Sequence, residues 1–264
     1  MSRAEGQLAG RVALITGGAA GFGRDATRTF VAEGAKVVVV DVNAEAGQAL
    51  ADELGDAVRF VRADVRREDQ MQAPVDVAVQ DFGGLDVMYH NAGTVGSAAD
   101  LDTISVDEWN ASFEMLLTAS MIAIKVATAP MKARGGGSII LTSSAAGYRL
   151  GGSGPYAYTI AKSAVCTMGQ YAALKLGKHG IRVNVIVPGA FRTALWDKHD
   201  LGQNVLAEDR WTRMQPLPFA GQTQFIADTA LYLASDQSRF VSGVVLPVDG
   251  GLTIHRNSFA SAEG

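Results

Sequence analysis

Tyr158 and Lys162 are separated by one helical turn in the stretch Tyr158-Thr159-Ile160-Ala161-Lys162. On a helix that spacing puts both side chains on one face. A phenol titrates at about 10 and is a poor base at neutral pH. A nearby ammonium stabilises phenolate and draws its pKa toward the range where it exchanges a proton with an alcohol. Taken alone, the pattern fits an ordinary helix-surface pair equally well. A second feature goes beyond that: a serine pair, Ser143-Ser144, ends the preceding strand. That is the carboxyl edge, where ligands bind in open α/β sheets.

Near the start of the chain, Thr16-Gly17-Gly18-Ala19-Ala20-Gly21-Phe22-Gly23 follows one apolar run and opens a helical one. Glycines there allow a tight turn and a close approach of backbone to a pyrophosphate. The helix N-terminus then holds the anion through free N–H groups and its dipole. Such a loop is a weak signal by itself, but the strand before it, the helix after it and an acid downstream agree. That acid is Asp41, at the end of the second strand. A carboxylate there accepts both ribose hydroxyls of NAD and repels the 2′-phosphate of NADP. Neither Val42 nor Asn43 supplies a compensating positive charge, and the loop carries no basic residue before Gly21. The expected cofactor is NAD.

The elements that must carry these groups follow from short apolar β-branched runs alternating with helix-period segments. Strands are expected at 12–16, 35–41, 58–63, 85–90, 138–143, 181–187 and 244–248. Helices are expected at 21–33, 44–54, 68–82, 106–131, 156–178 and 223–234. Repeated β-α-β units with short loops imply a doubly wound parallel sheet of about seven strands with helices on both faces, a Rossmann-type α/β fold. No linker, low-complexity tract or repeat divides the chain, so residues 1–264 read as a single domain. Residues 190–218 break the rhythm and are expected to form a substrate-binding lid.

Composition narrows the function further. The chain is 48% hydrophobic and 19% charged with a formal net charge of −4, which supports a buried core and opposes nucleic acid or an anionic membrane as partner. Cys166 is the lone cysteine; it reads as a buried thiol, and no intrachain disulfide is possible. His90, His179, His199 and His255 show no metal-ligand spacing, so no metal is expected. No signal peptide is visible and no apolar stretch reaches membrane-spanning length, so a cytoplasmic protein is expected.

Together these residues resemble the short-chain dehydrogenase/reductase family over nearly the whole chain. Thr16-Gly17-x-x-x-Gly21-x-Gly23 is similar to its cofactor loop, with Phe22 inside it. Asp64-Val65 matches the pair that meets the adenine, beside Asp41 and Val42. His90-Asn91-Ala92-Gly93 resembles the family's Asn-Asn-Ala-Gly strand end, with His90 replacing the first Asn. Pro188-Gly189-x-x-x-Thr193, enclosing Phe191, resembles the segment that holds the nicotinamide carboxamide. Val248-Asp249-Gly250-Gly251 resembles the C-terminal signature. The resemblance implies that Tyr158 removes the alcohol proton as hydride leaves for the nicotinamide. It also implies that Lys162 lowers the Tyr158 pKa and binds the nicotinamide ribose, and that Ser144, rather than Ser143, bonds the substrate oxygen.

One departure stands out. Counting from Trp109, the family's asparagine, which holds a relay water behind the lysine, falls on Leu116, which has no donor or acceptor. Ser112, Thr118 and Ser120 are the nearby polar groups. Phe191, Leu195, Trp196 and Trp211 are candidate apolar walls, so a hydrophobic secondary alcohol or ketone on a cyclic or aromatic skeleton is the expected substrate. Two alternatives stay open: a 3-oxoacyl-type reductase, usually NADP-linked and so opposed by Asp41, and a catalytically silent NAD-binding sensor. The resemblance implies a homotetramer through helices 106–131 and 156–178. Ala119, Ala123, Ala127, Ala164, Ala172 and Ala173 are candidate outer contacts, with burial against the sheet as the other reading.

Overall fold

The computed structural model describes residues 6–149, 154–191 and 214–254. Seven strands form one parallel sheet: β1 Val12–Thr16, β2 Lys36–Asp41, β3 Val58–Arg62, β4 Val87–His90, β5 Gly137–Thr142, β6 Ile181–Pro188 and β7 Val245–Val248. Their order is β3-β2-β1-β4-β5-β6-β7. The chain leaves β1 toward β2 on one side and returns to β4 on the other, so the order reverses between β1 and β4. That reversal opens a crevice at the carboxyl ends of the two strands.

Side chains alternate across the sheet and build two cores. Leu14, Val38, Met88, Ile139 and Val185 face α3 (Glu68–Phe82), α5 (Ala119–Arg134) and α7 (Tyr156–Leu176). Ile15, Val39, Tyr89, Ile140 and Ile186 face α1 (Gly21–Ala32) and a last long helix, α8 (Thr223–Ala234). All five residues of β1 are buried, as a central strand covered on both faces must be. At about 25 cal/mol per Å² of apolar surface removed from water, these two layers supply the main driving force. α2 (Ala44–Leu54) completes the β2–β3 crossover and is started by Asn43, whose side chain accepts the Ala46 N–H at 3.1 Å.

The stretch expected as one helix over 106–131 is a longer composite. A Ser105–Glu108 capping box starts α4 (Val106–Phe113), a π turn follows over Glu114–Thr118, and α5 runs on to Arg134. Pro130 does not end it. Lys132 and Arg134 favour the negative C-terminal end, and Gly135 closes the helix in the left-handed region at φ 84°. The run Val106–Arg134 is 29 residues and passes the length and composition of a membrane span. The expectation that no stretch reaches that length is therefore corrected: polar residues interrupt the apolar letters, whereas the helix is continuous. Its Ile122, Ala123, Val126 and Ala127 are buried in the core.

Five of the six alanines expected on outer helix faces turn inward, while Ala164 is half-buried outside the two core clusters. Ala119, Ala123, Ala127 and Ala172 are buried in the sheet core, and Ala173 packs against it half-buried. Met121, Tyr171 and Leu174 are exposed instead.

A cavity of about 400 Å³ lies at the opposite, amino edge of the strands, lined by Arg11, Asp86, Arg134 and Arg182 among others. Arg134 bonds Asp86 through Nε and Nη2, both at 3.1 Å, and Arg182 donates to the Leu233 carbonyl at 2.8 Å. The guanidinium groups there tie strand starts to helix ends. The motifs with chemistry all lie at the other edge.

Candidate active site

The crevice between β1 and β4 is shaped by glycine. Gly17 and Gly21 adopt φ 62° and 50°, where an L side chain is strained. A Cβ on Gly17 would lie 2.9 Å from Ala92 Cα, and one on Gly23 would lie 2.1 Å from the Gly17 carbonyl oxygen. The loop after β1 thus packs backbone against backbone on the turn after β4. α1 begins at Ala20 without a side-chain cap and with no acid in its first turn. Its unpaired N–H groups and positive dipole end suit a pyrophosphate. These features fit a dinucleotide, and Gly17, Gly21, Phe22 and Gly23 would hold its phosphates. The Phe22 ring meets Phe191 edge-on with centroids 5.2 Å apart.

At the end of β2 the Asp41 carboxylate accepts the Ala19 N–H at 3.2 Å and the Asn43 N–H at 3.0 Å. It is therefore fixed at the rim of the glycine loop, with Val42 exposed beside it. Asp64 stands differently. Arg66 grips both its oxygens, Nε to Oδ1 at 3.0 Å and Nη2 to Oδ2 at 2.6 Å, and holds the carboxyl below its usual range. Arg66 is a partner that the Asp64-Val65 motif does not announce. Val65 beside it is buried. Asn91 donates through Nδ2 to the Gly17 carbonyl at 3.3 Å, with Ala92 and Gly93 continuing the crevice wall.

Pro188 ends β6. A Cβ on Gly189 would come within 2.6 Å of Asp249 Cα, so the turn rests directly on the C-terminal signature. The Asp249 carboxylate in turn accepts the Gly251 and Thr253 N–H groups at 2.9 and 2.8 Å. Phe191, expected as a cofactor contact and pocket wall, is buried in the core with α1 and α8. A Cβ on Gly221 would strike its ring at 2.6 Å. Thr193, Leu195, Trp196 and Trp211, with most of the expected lid, lie outside the described residues.

The two serines have separate roles. Buried Ser143 donates to the Lys162 carbonyl at 2.6 Å and receives the half-buried Cys166 thiol at 3.2 Å, so its hydroxyl is committed to α7. Ser144 is half-buried and caps α6 (Ala145–Tyr148) by accepting the Ala146 N–H at 3.3 Å. The Tyr158 phenol is its neighbour. Burial raises the Tyr158 pKa above its ordinary value, and the nearby Ser144 hydroxyl draws it partly back. The Lys162 ammonium sits 5.9 Å from the centre of the Tyr158 ring. It donates to the Thr142 carbonyl at 2.8 Å, and burial pushes its pKa down to about 8.

Desolvation is the largest influence on the phenol, while the lysine's described hydrogen bond goes to a main-chain carbonyl.

Leu116 is buried in the π turn. A Cβ on Gly93 would lie 3.8 Å from its Cδ2 and 3.6 Å from Lys162 Nζ, so an apolar side chain and the ammonium border the same glycine. Ser112 donates to the Glu108 carbonyl at 2.7 Å and Ser120 to the Leu116 carbonyl at 3.3 Å; both are tied to their own helix, and Thr118 is exposed.

A family model described as enoyl-(acyl carrier protein) reductase matches residues 17–253. A 3-alpha-(or 20-beta)-hydroxysteroid dehydrogenase of Mycobacterium tuberculosis is 38% identical over 98% of this chain and 96% of its own. A trans-4-hydroxycyclohexanecarboxylate dehydrogenase of Sinomonas cyclohexanicum is 38% identical over 97% of this chain and 98% of its own. The solved structure of a short-chain type dehydrogenase/reductase from Mycobacterium ulcerans superposes with a TM-score of 0.87 at 30% identity, covering 94% of this chain and 92% of that one. The chain belongs to the short-chain dehydrogenase/reductase family. Within it, the chain is related to dehydrogenases of cyclic secondary alcohols, and family members bind NAD(H) or NADP(H).

Proposed function

We propose that the protein is an NAD-dependent dehydrogenase, and ketone reductase in reverse, of a hydrophobic secondary alcohol on a cyclic or aromatic skeleton. The observation that carries this reading is the convergence of the Tyr158 phenol, the neighbouring Ser144 hydroxyl and the Lys162 ammonium, which sits 5.9 Å from the centre of the Tyr158 ring. In reduction, Tyr158 gives its proton to the carbonyl oxygen while Ser144 holds that oxygen. In oxidation the phenolate form takes the alcohol proton back, and Lys162 holds the nicotinamide ribose. NAD, when bound, accepts the hydride from the carbinol carbon. Asp41 supports NAD over NADP, since its fixed carboxylate would meet a 2′-phosphate as a like charge at a cost on the order of a few kcal/mol.

The ring-bearing alcohols named for the two relatives support the substrate class. The family model's description keeps acyl substrates in the comparison. The test follows NADH absorbance while cyclic, aromatic and acyl alcohols are screened, with Tyr158→Phe as control. Turnover should fall at least about a hundredfold, the scale of a lost general acid–base group, while NADH still binds. Substantial residual kcat in that variant would refute the assignment, and silence toward every alcohol would favour the sensor reading.

A further inference from the structure

His90 takes the place where a family member carries asparagine, and no role follows for it from the chemistry above. It ends β4, opposite Thr16 at the end of β1. Side-chain alternation puts both residues on the sheet face of Leu14 and Met88, under α5 and α7. The imidazole is 2% exposed, and its Nδ1 lies 2.9 Å from Thr16 Oγ1.

Counting hydrogens settles what passes between them. A threonine hydroxyl has one proton to give and two lone pairs. The Asn91 and Ala92 N–H groups both donate to Thr16 Oγ1, at 3.1 and 3.2 Å. Both lone pairs are therefore occupied, and the O–H remains for His90. Nδ1 must accept it, so a neutral ring carries its proton on Nε2. The setting agrees: burial, with the Lys162 charge adding to it, pushes the imidazole down to about 3.

Resting on the dinucleotide reading, we propose that His90 is a positioning residue of the cofactor crevice. As the Nε2–H tautomer it accepts the Thr16 proton and so fixes the lone pairs that hold Asn91 and Ala92 against the Gly17 turn. Without that acceptor the Thr16 hydroxyl is free to rotate. The two N–H groups then lose a fixed partner where Gly17 and Ala92 come so close that a Cβ would not fit. The clamp is insensitive to pH through the neutral range, because the ring does not charge there.

Two measurements test this. Nitrogen NMR of the ring in the wild-type protein should show Nδ1 bare and Nε2 protonated, unchanged from about pH 5.5 to about pH 9, whereas an exposed histidine would titrate. NADH titration by fluorescence compares His90→Leu, which cannot accept, with His90→Asn, whose Oδ1 can replace Nδ1. The leucine variant should bind NADH about five- to tenfold more weakly, the effect of one hydrogen bond. The asparagine variant should return to within about twofold of wild type. A protonated Nδ1, equal binding by the leucine variant, or an asparagine variant no better than leucine would each overturn the proposal. If His90→Leu does not fold, the ring spectrum of the wild type still decides. If the wild-type protein itself fails to bind NADH, the dinucleotide reading falls, while the ring spectrum still shows independently which nitrogen of His90 accepts the Thr16 proton.

Discussion

Asp41 is the residue whose consequence is most direct. Its two oxygens are held by main-chain N–H groups of Ala19 and Asn43, so the carboxylate cannot swing away from an incoming 2′-phosphate. Asp41→Ser should lower the NAD-over-NADP ratio of kcat/KM by at least about tenfold, mainly by admitting NADP. Comparing steady-state kinetics with the two cofactors checks this; an unchanged ratio would remove Asp41 as the discriminator.

Lys162 makes a second claim, on stability. Its folded pKa of about 8 lies below the ordinary 10.5, so between those values the unfolded chain binds more protons than the folded one. Folding stability conferred through this group therefore rises with pH across that window, and the buried charge penalises folding below it. The stability of Lys162→Met relative to wild type should accordingly decline by about 3 kcal/mol from pH 8 to pH 10.5. Denaturant unfolding across that range measures it, and a pH-independent difference would contradict the buried cation.

Between elements, the contact that sets Ser144 relative to Tyr158 is α6 on α7. A Cβ on Gly147 would lie 2.5 Å from the Ser163 nitrogen and 2.7 Å from Lys162 Cβ. α6 can therefore lie on α7 only with glycine at that position. Because Ser144 caps α6 and Tyr158 sits in the first turn of α7, separating the helices pulls the two hydroxyls apart. Gly147→Val should lower kcat by more than about tenfold, since displacement of roughly 1 Å at reacting groups is that costly. NADH affinity should fall less than kcat, because the glycine loop is on other elements and only the Lys162 contact is disturbed. Equal losses in kcat and in NADH binding would point to general unfolding instead. The π turn at Glu114–Thr118 is the other local departure from regular helix, and it brings Leu116 to Gly93 beside the lysine.

For the molecule as a whole, the unanswered surface is the pair of long helices. Tyr171 and Leu174 on α7 are 61% and 76% exposed, and Met121 on α5 is 42% exposed. Exposed apolar groups of this size on these two helices suit contact with further copies of the chain. We propose a homotetramer, with light scattering at micromolar protein as the measurement; a monomer there would contradict it. Tyr171→Glu with Leu174→Glu should shift the assembly toward smaller species, since an isologous contact repeats each new charge on both sides.

Sequence alone determined the α/β architecture, the seven strands within a few residues, the glycine loop and the one-turn spacing of Tyr158 and Lys162. These are properties of local period, turn chemistry and spacing, which are written in consecutive letters. What it could not carry is how groups distant in sequence compete for the same atoms. Lys162 has its four-residue spacing to Tyr158 in the sequence, yet its hydrogen bond to Thr142 depends on β5 lying under α7. Phe191 reads as a pocket wall until its ring is found beneath Gly221 and against Phe22. Ala119, Ala123, Ala127 and Ala172 read as outer contacts until the sheet claims them. Thr16 and His90 become partners only because β1 and β4 are neighbours across the reversal in strand order. Hydrogen-bond partners, helix faces and desolvation are set by which elements touch, and that is decided only when the sheet is assembled.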